Sequence, residues 1–180
     1  MEITRQLHPD WEVVVWDRTM VNELIASSEK HVINFWNELI SIGNVFYLVD
    51  FARYVILSLH KGVYVDMDIE LKLPLVPNTQ YIYASRKKNQ KRRKITNSLM
   101  CLRGKGIYVE LIEFIIERYY KCKIDRSWDR HLLFSVGALS YAAFCKGRKL
   151  VFGFNETTPW IKDYGTTAWV GLNKRAHNSS

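Results

Sequence analysis

Two aspartates, Asp66 and Asp68, are separated by one residue and lie at the end of a short apolar run, Val63–Met67. Such a run is typical of a β-strand, in which side chains two positions apart project from the same face. We therefore expect both carboxylates to project together, with Val65 and Met67 facing a core. Two carboxylates at one strand end suit a hard divalent cation, which prefers oxygen ligands and can hold a diphosphate. The alternative is a pair of solvated acids before a turn.

The segment before this strand adds further polar groups. Asp50 is expected to cap the helix that follows it, because a side-chain oxygen at that position accepts unpaired backbone N–H groups. Arg53 lies three residues later on the same helical face, and Gly62 is expected to end the helix. A helix–turn–strand unit of this kind can bring both residues to one cleft with Asp66 and Asp68. The simpler interpretation of Asp50 and Arg53 is a helix cap with a local surface ion pair.

The order and spacing of residues 50–75 match a known pattern. The chain reads Asp-Phe-Ala-Arg-Tyr, then Gly-Val-Tyr-Val-Asp-Met-Asp, then Leu-Pro-Leu. This block resembles the DXD region of glycosyltransferase family 32, which includes capsular-polysaccharide sugar transferases and yeast-type mannosyltransferases and is related to the glucosylating domains of large clostridial toxins. Val49 stands where that family usually has Ser, and Lys61 stands where it usually has Gly. A lone DXD occurs by chance in many proteins, whereas the whole block in this order is specific.

The resemblance implies an activity and a fold. It implies a metal-dependent, retaining glycosyltransferase of the GT-A type that moves a hexose from UDP-hexose or GDP-mannose to a glycan acceptor. The implied cofactor is Mn²⁺ or Mg²⁺. The residues to which the resemblance assigns catalysis are Asp50, Arg53, Asp66 and Asp68.

The resemblance also implies a role for each matching residue. Asp68 would coordinate the cation directly, and Asp66 would contact the donor ribose or the metal. The donor sugar would be bound by Asp50 and Arg53 and approached by Asn97, which is otherwise a strand-edge turn residue. His177 matches a histidine that completes the metal shell or touches the diphosphate. Its alternative interpretation is a frayed C-terminal tail.

The rest of the chain alternates between strand and helix patterns. Strands are predicted over Glu12–Trp16, Gln80–Ala84, Ile95–Leu102 and Lys149–Phe154. Helices are predicted within 20–42, over Ile107–Tyr120, and within Leu132–Phe144 with a break at Gly137. Residues Asn44–Leu48 are predicted to form a connector. Alternation of this kind predicts an α/β fold, a single mixed central sheet flanked by helices, with ligands at the carboxyl ends of strands. A length of 180 residues is most simply one domain. We expect a single GT-A-like catalytic domain over 1–180 that lacks the family's usual first strand and its terminal Ser-Trp element.

The net charge of +8 comes from one short segment. Seven of the 26 basic residues lie between positions 86 and 94, and the other 19 nearly balance 18 acidic residues. The seven are Arg86, Lys87, Lys88, Lys91, Arg92, Arg93 and Lys94. Blocks of like charge are usually solvated loops. The other interpretation is a weak contact with an anionic acceptor, a phosphate or a membrane surface.

The remaining sequence features constrain the compartment. No apolar run has the length needed to cross a bilayer, and the N-terminus has no signal-peptide core. The three cysteines, Cys101, Cys122 and Cys145, are far apart and lack metal-ligand spacing. This usage fits free thiols in a reducing compartment, so we expect a cytoplasmic protein.

Three other functions compete with the transferase as interpretations of the sequence. An aspartate-nucleophile phosphatase needs Thr or Val where Glu70 stands, and the chain has no later Gly-Asp-x-x-x-Asp. A nucleic-acid binder would use the basic segment with Tyr81 and Tyr83, and its affinity would fall steeply with salt. That function leaves the block at 50–75 unexplained. A degenerate transferase that binds a nucleotide sugar without transfer stays open.

Overall fold

A computed structural model describes residues 2–76, 78–85, 94–104, 106–124, 136–150, 154–155 and 161–163. The helices are α1 (Glu2–Leu7), α2 (Arg18–Ala26), α3 (Lys30–Ile42), α4 (Val45–Leu59), α5 (Ile107–Ile124) and α6 (Ala138–Gly147). The strands are β1 (Tyr64–Val65), β2 (Ile69–Leu71), β3 (Tyr81–Ser85), β4 (Lys94–Cys101), β5 (Phe154–Asn155) and β6 (Ile161–Asp163). Within these ranges, no helix is both long and apolar enough to cross a membrane.

The helix that carries the candidate site begins earlier than the sequence pattern predicts. Helix α3 ends at Gly43, whose φ of 73° is left-handed and suits glycine. Asn44 then caps α4, because its Oδ1 accepts a hydrogen bond from the backbone N–H of Phe46 at 3.0 Å. The predicted connector over Asn44–Leu48 is therefore wrong. The prediction that Asp50 is the cap is also wrong, since Asp50 lies inside α4.

The strands form two sheets rather than the single predicted sheet. The larger one has the order β1-β4-β3-β5, with β5 parallel to β3 and the other pairs antiparallel. Strands β2 and β6 form a separate antiparallel pair. A mixed α/β architecture is confirmed, and the small second sheet was not anticipated.

The larger sheet has an apolar cluster on each face. Ile82 and Met100 join the main core, which includes residues of α2 to α6. Their neighbours Tyr81 and Leu99 point the other way, into a smaller cluster with Leu71 of β2. This alternation follows from the two-residue repeat of a strand. It places α2 to α6 on one side of the sheet, whereas Leu7 of α1 packs against the smaller cluster on the other side.

The longer sequence patterns were predicted correctly. Residues 20–42 contribute to α2 and α3, and Ile107–Tyr120 lies within α5. Gly137 does precede a helix, α6, and residues 132–135 of the predicted segment Leu132–Phe144 lie outside the described residues. The predicted strands at Gln80–Ala84 and Ile95–Leu102 correspond to β3 and β4 with shifts of one residue.

Two short apolar patterns were misread as strands. Glu12–Trp16 has no strand partner among the described residues, and Val14 and Val15 remain 42% and 44% exposed. The segment is instead held by Trp16, whose ring lies 5.1 Å from that of His60. In the predicted strand Lys149–Phe154, Lys149 adopts a left-handed φ of 54° after α6, which is outside the extended range of a strand. Residues 151–153 of that prediction lie outside the described residues, and Phe154 belongs to β5.

A carboxylate on α3 ties that helix to α5. Glu38 accepts hydrogen bonds from the hydroxyls of Tyr119 at 2.8 Å and Tyr120 at 2.7 Å, and it pairs with Lys123. Burial acts to raise the pKa of Glu38, but these donors outweigh it and hold the pKa below its ordinary value.

Glu38→Gln should therefore destabilise the protein near pH 7 by on the order of 1 kcal/mol. A lowered folded pKa stabilises the protein above the ordinary glutamate pKa, and this advantage is lost as pH falls through the lowered value. Urea unfolding of wild type and variant should accordingly converge in acid. The control is Glu117→Gln on the exposed side of α5. Equal destabilisation by both variants at neutral pH would contradict the assignment.

Candidate active site

Helix α4 presents three polar side chains on one face. Asp50, Arg53 and Tyr54 are spaced by three and four residues, which aligns them along a helix. The same helix buries Phe51 and Val55 in the main core. Because that packing fixes the helix against the sheet, the polar face is fixed against strand β4.

The first aspartate of the DXD motif lies where β1 ends. The backbone N–H of Asp66 donates to the carbonyl oxygen of Ser98 on β4 at 2.7 Å. The N–H of Ile69 donates back to the carbonyl oxygen of Asp66 at 3.0 Å, which closes a four-residue turn. Met67 and Asp68 are the central residues of that turn. The two aspartates therefore sit on a turn and not on one strand face.

Met67 shows why the predicted strand pattern fails here. It was expected to face a core, but its side chain is 87% exposed. The two-residue alternation holds only while the chain is extended, and the chain leaves the strand after Val65. Val65 itself packs against the smaller apolar cluster, as predicted.

Arg53 joins the helix to the turn. Its guanidinium contacts Asp50 through Nη2 at 3.1 Å and Asp66 through Nη1 at 3.2 Å. Nη1 also donates to the backbone carbonyl of Asn97 at 2.8 Å. Arg53 is only 5% exposed, whereas Asp50 and Asp66 keep 21% and 24% of their side-chain surface. The arginine is thus a buried link between two carboxylates that remain accessible.

An irregularity in β4 brings Asn97 to this group. Ile82 pairs with Met100, but Ala84 pairs with Ile95, so β4 carries three extra residues across that step. Such bulges commonly redirect side chains beside active sites. Asn97 lies in the bulged stretch, and its Nδ2 donates to Asp50 Oδ1 at 2.8 Å and to the Tyr54 hydroxyl at 2.9 Å.

Tyr64 supports the first motif aspartate from the strand. Its hydroxyl donates to Asp66 Oδ1 at 2.8 Å, and its ring centroid lies 4.8 Å from the guanidinium carbon of Arg53. A cation over an aromatic face is stabilised by the ring's electron density. Tyr64 thus holds both members of the Arg53–Asp66 pair.

The charges of the site are unequal. Burial alone would lower the pKa of Arg53, but Asp50 and Asp66 raise it above its ordinary value, so the guanidinium stays charged. Burial raises the pKa of Asp66 despite the opposing effects of Arg53 and Tyr64, and Asp68 and Asp50 raise it further. Two carboxylates contact one guanidinium and a third, Asp68, acts on Asp66, and this excess of negative charge favours a cation.

The structure brings most of the predicted residues together. Asp50, Arg53, Asp66 and Asn97 form one contact network, and Asp68 lies on the same turn as Asp66. Asn97 is only 6% exposed and lies behind Asp50 rather than at the surface. His177 lies outside the described residues.

Two tyrosines of the network were not predicted as site residues. Tyr64 precedes Asp66 by two positions, so the strand repeat itself could have placed it beside that carboxylate. Tyr54 follows Asp50 by four positions, which is the helical repeat. The sequence signal was present in both cases. It was masked by the aromatic character of these residues, which is typical of a core.

The donor atoms suit a cation that is shared with a ligand. In the part of the chain that the structure describes, no group of three or more His, Cys, Asp or Glu side chains is arranged to hold a metal. Asp66 and Asp68 supply hard carboxylate oxygens, the kind that Mn²⁺ and Mg²⁺ accept. The set is too small to hold a cation alone, but it fits one whose coordination is completed by diphosphate and water.

Comparison with known proteins agrees with this chemistry. A family model described as "Glycosyltransferase sugar-binding region containing DXD motif" matches residues 1–90, which include Asp50, Arg53, Asp66 and Asp68. The chain belongs to this family of DXD-motif glycosyltransferases. No curated protein matches it. Membership supports glycosyl transfer as the general activity and implies a nucleotide-sugar donor.

Proposed function

We propose that this protein is a metal-dependent, retaining glycosyltransferase of the GT-A type, in which residues 1–180 form one catalytic domain. It would move a hexose from UDP-hexose or GDP-mannose to a glycan acceptor. The observation that carries the proposal is the buried Arg53, which links Asp50 to the DXD aspartate Asp66 within a family member. In the reaction the bond from the sugar C1 to the diphosphate oxygen breaks and the nucleoside diphosphate leaves with the electron pair, while a bond from C1 to an acceptor oxygen forms and the acceptor hydroxyl gives up its proton.

In this proposal the donor sugar lies against Asp50. Arg53 and Asn97 both contact the Asp50 carboxylate through its Oδ1. Among the described residues this leaves Oδ2 as the atom that accepts hydrogen bonds from sugar hydroxyls. Arg53 holds Asp50 and Asp66 at a fixed separation, so the sugar and the diphosphate bind in one orientation.

In the same proposal Asp68 and Asp66 hold the cation together with the donor diphosphate, and His177 is a further candidate ligand. A bound divalent cation supplies Lewis-acid stabilisation of the charge on the leaving diphosphate. Asp68 is assigned the direct contact because it matches the second aspartate of the family's DXD motif, while Asp66 accepts hydrogen bonds from Arg53 and Tyr64.

The acceptor, or the surface that carries it, is proposed to be anionic. Strand β3 ends at Ser85, which pairs with Lys94, and residues 86–93 connect the two. Lys94 lies four residues before Ser98, the β4 partner of Asp66, on the same strand. Residues 86–93 themselves lie outside the described residues. A negatively charged glycan or surface is attracted to them, and a cytoplasmic location is proposed from the cysteine usage.

Release of nucleoside diphosphate from a panel of nucleotide sugars tests the donor assignment. We expect release from a UDP-hexose or GDP-mannose that requires added Mn²⁺ or Mg²⁺ and stops with a chelator. Metal-dependent nucleotide binding without release would indicate the degenerate transferase instead. An absence of both binding and release across the panel would contradict the proposal.

A further inference from the structure

We propose that Tyr54 is a positioning residue of the donor site. Its hydroxyl fixes the side-chain amide of Asn97, and that amide fixes the carboxylate of Asp50. The inference rests on the proposed function, in which Asp50 holds the donor sugar. Neither the DXD motif nor the family match assigns this role to Tyr54.

The Asn97 amide has only one orientation that satisfies its neighbours. Its nitrogen lies 2.8 Å from Asp50 Oδ1 and 2.9 Å from the Tyr54 hydroxyl oxygen. A carboxylate accepts hydrogen bonds, so the NH₂ end of the amide must face Asp50. The same NH₂ group then donates its second hydrogen to Tyr54. Both amide hydrogens are thereby used, and a flipped amide would set its oxygen against the carboxylate.

The backbone of Asn97 is fixed separately. Its carbonyl oxygen accepts a hydrogen bond from Arg53 Nη1 at 2.8 Å. Because the main chain is held in this way, rotation of the side chain is the main freedom that Asn97 retains. The Tyr54 hydroxyl restricts that rotation.

Tyr54 is itself held rigidly enough to act as a reference point. It is fully buried, at 0% exposure, one helical turn after Asp50 on α4. Its ring stacks on the ring of Tyr141 in α6, with 6.3 Å between centroids and 22° between planes. Packing from a second helix therefore fixes the position of the Tyr54 hydroxyl. That hydroxyl orients the Asn97 amide, and the amide in turn orients the Asp50 carboxylate.

Loss of the Tyr54 hydroxyl should affect the site more than the fold. Tyr54→Phe keeps the ring and its packing but leaves one buried amide hydrogen of Asn97 without an acceptor. Such a group is costly, so the amide is expected to rotate and release Asp50 Oδ1. The donor sugar then binds to an Asp50 carboxylate that has two orientations instead of one.

The kinetic test compares Tyr54→Phe with a matched tyrosine variant. Tyr108 is also buried, and its hydroxyl accepts a hydrogen bond from the Leu102 N–H at 2.7 Å, away from Asp50. Tyr54→Phe should raise the KM for the nucleotide sugar and lower kcat/KM by about tenfold or more. Tyr108→Phe should leave the KM unchanged. Wild-type kinetics in Tyr54→Phe, or the same KM increase in Tyr108→Phe, would overturn the proposal.

A second measurement separates this inference from the proposed function. In ¹⁵N-labelled protein without ligand, the two Asn97 side-chain hydrogens should exchange slowly with solvent. Tyr54→Phe should accelerate that exchange, and Tyr108→Phe should not. If wild type turns over no donor but this pattern appears, the proposed function is wrong and the positioning network stands. Rapid exchange of the Asn97 side-chain hydrogens in wild type would contradict the positioning network. This outcome is informative even if Tyr54→Phe does not fold.

Discussion

Asp68→Ala should abolish metal-dependent release of nucleoside diphosphate, with a loss of roughly a thousandfold or more, because it removes the direct metal ligand of the proposed site. Asp68 is a partly exposed residue at the centre of a turn. Its removal creates no core cavity and breaks none of the buried contacts of Arg53. The melting temperature should therefore stay within about 2 °C of wild type, as is usual for such positions.

Glu70→Gln is the matched control for this prediction. It removes one negative charge two residues away, on strand β2, where Glu70 pairs with Lys72. We expect it to retain the metal-dependent release. Isothermal titration with Mn²⁺ and nucleoside diphosphate should show joint binding in wild type and in Glu70→Gln but not in Asp68→Ala. Full turnover by Asp68→Ala would remove the assignment of the direct metal contact.

The local composition of the site was predictable from the sequence, but its geometry was not. The helical repeat placed Asp50 and Arg53 on one face, and the structure confirms that they are in contact. The bulge that turns Asn97 towards α4 depends on pairing between strands, which no local pattern records. The contact from Arg53 to the Asn97 backbone spans 44 residues of sequence, and it too depends on how the strands pair.

The errors in the fold share one physical cause. Val14 and Val15 have high strand propensity, yet their segment finds no partner strand and stays exposed. Met67 follows the strand repeat in sequence, but a hydrogen bond from Ile69 to Asp66 turns the chain before it. The long helices, by contrast, were predicted well, because an amphipathic pattern over many residues is a strong signal. Short apolar runs acquire their structure from partners that lie far away in the sequence.

Arg53→Met should be the most destabilising single change in the site. It replaces the buried guanidinium by an apolar side chain and leaves Asp50 and Asp66 without their shared cation. Breaking a buried ion pair from one side typically costs about 3–5 kcal/mol. Urea unfolding near neutral pH should show a loss of that size, and donor turnover should disappear with it. Arg53→Lys should recover part of the stability but not the turnover, since one ammonium cannot reproduce the planar contacts to both carboxylates and the Asn97 carbonyl.

The pH dependence distinguishes this electrostatic cause from simple loss of packing. Without Arg53, the larger of the two influences that lower the pKa of the already raised Asp66 is gone, so that pKa should rise further. A carboxyl with a raised folded pKa is destabilising when ionised, and protonation relieves the cost. The stability deficit of Arg53→Met should thus shrink as pH falls towards the carboxyl range. Adding Asp66→Asn should likewise restore part of the loss at neutral pH, measured as a double-mutant cycle. A deficit that is unchanged by pH and by Asp66→Asn would mean that Arg53 acts through packing alone, and its role as the link between the two carboxylates would have to be abandoned.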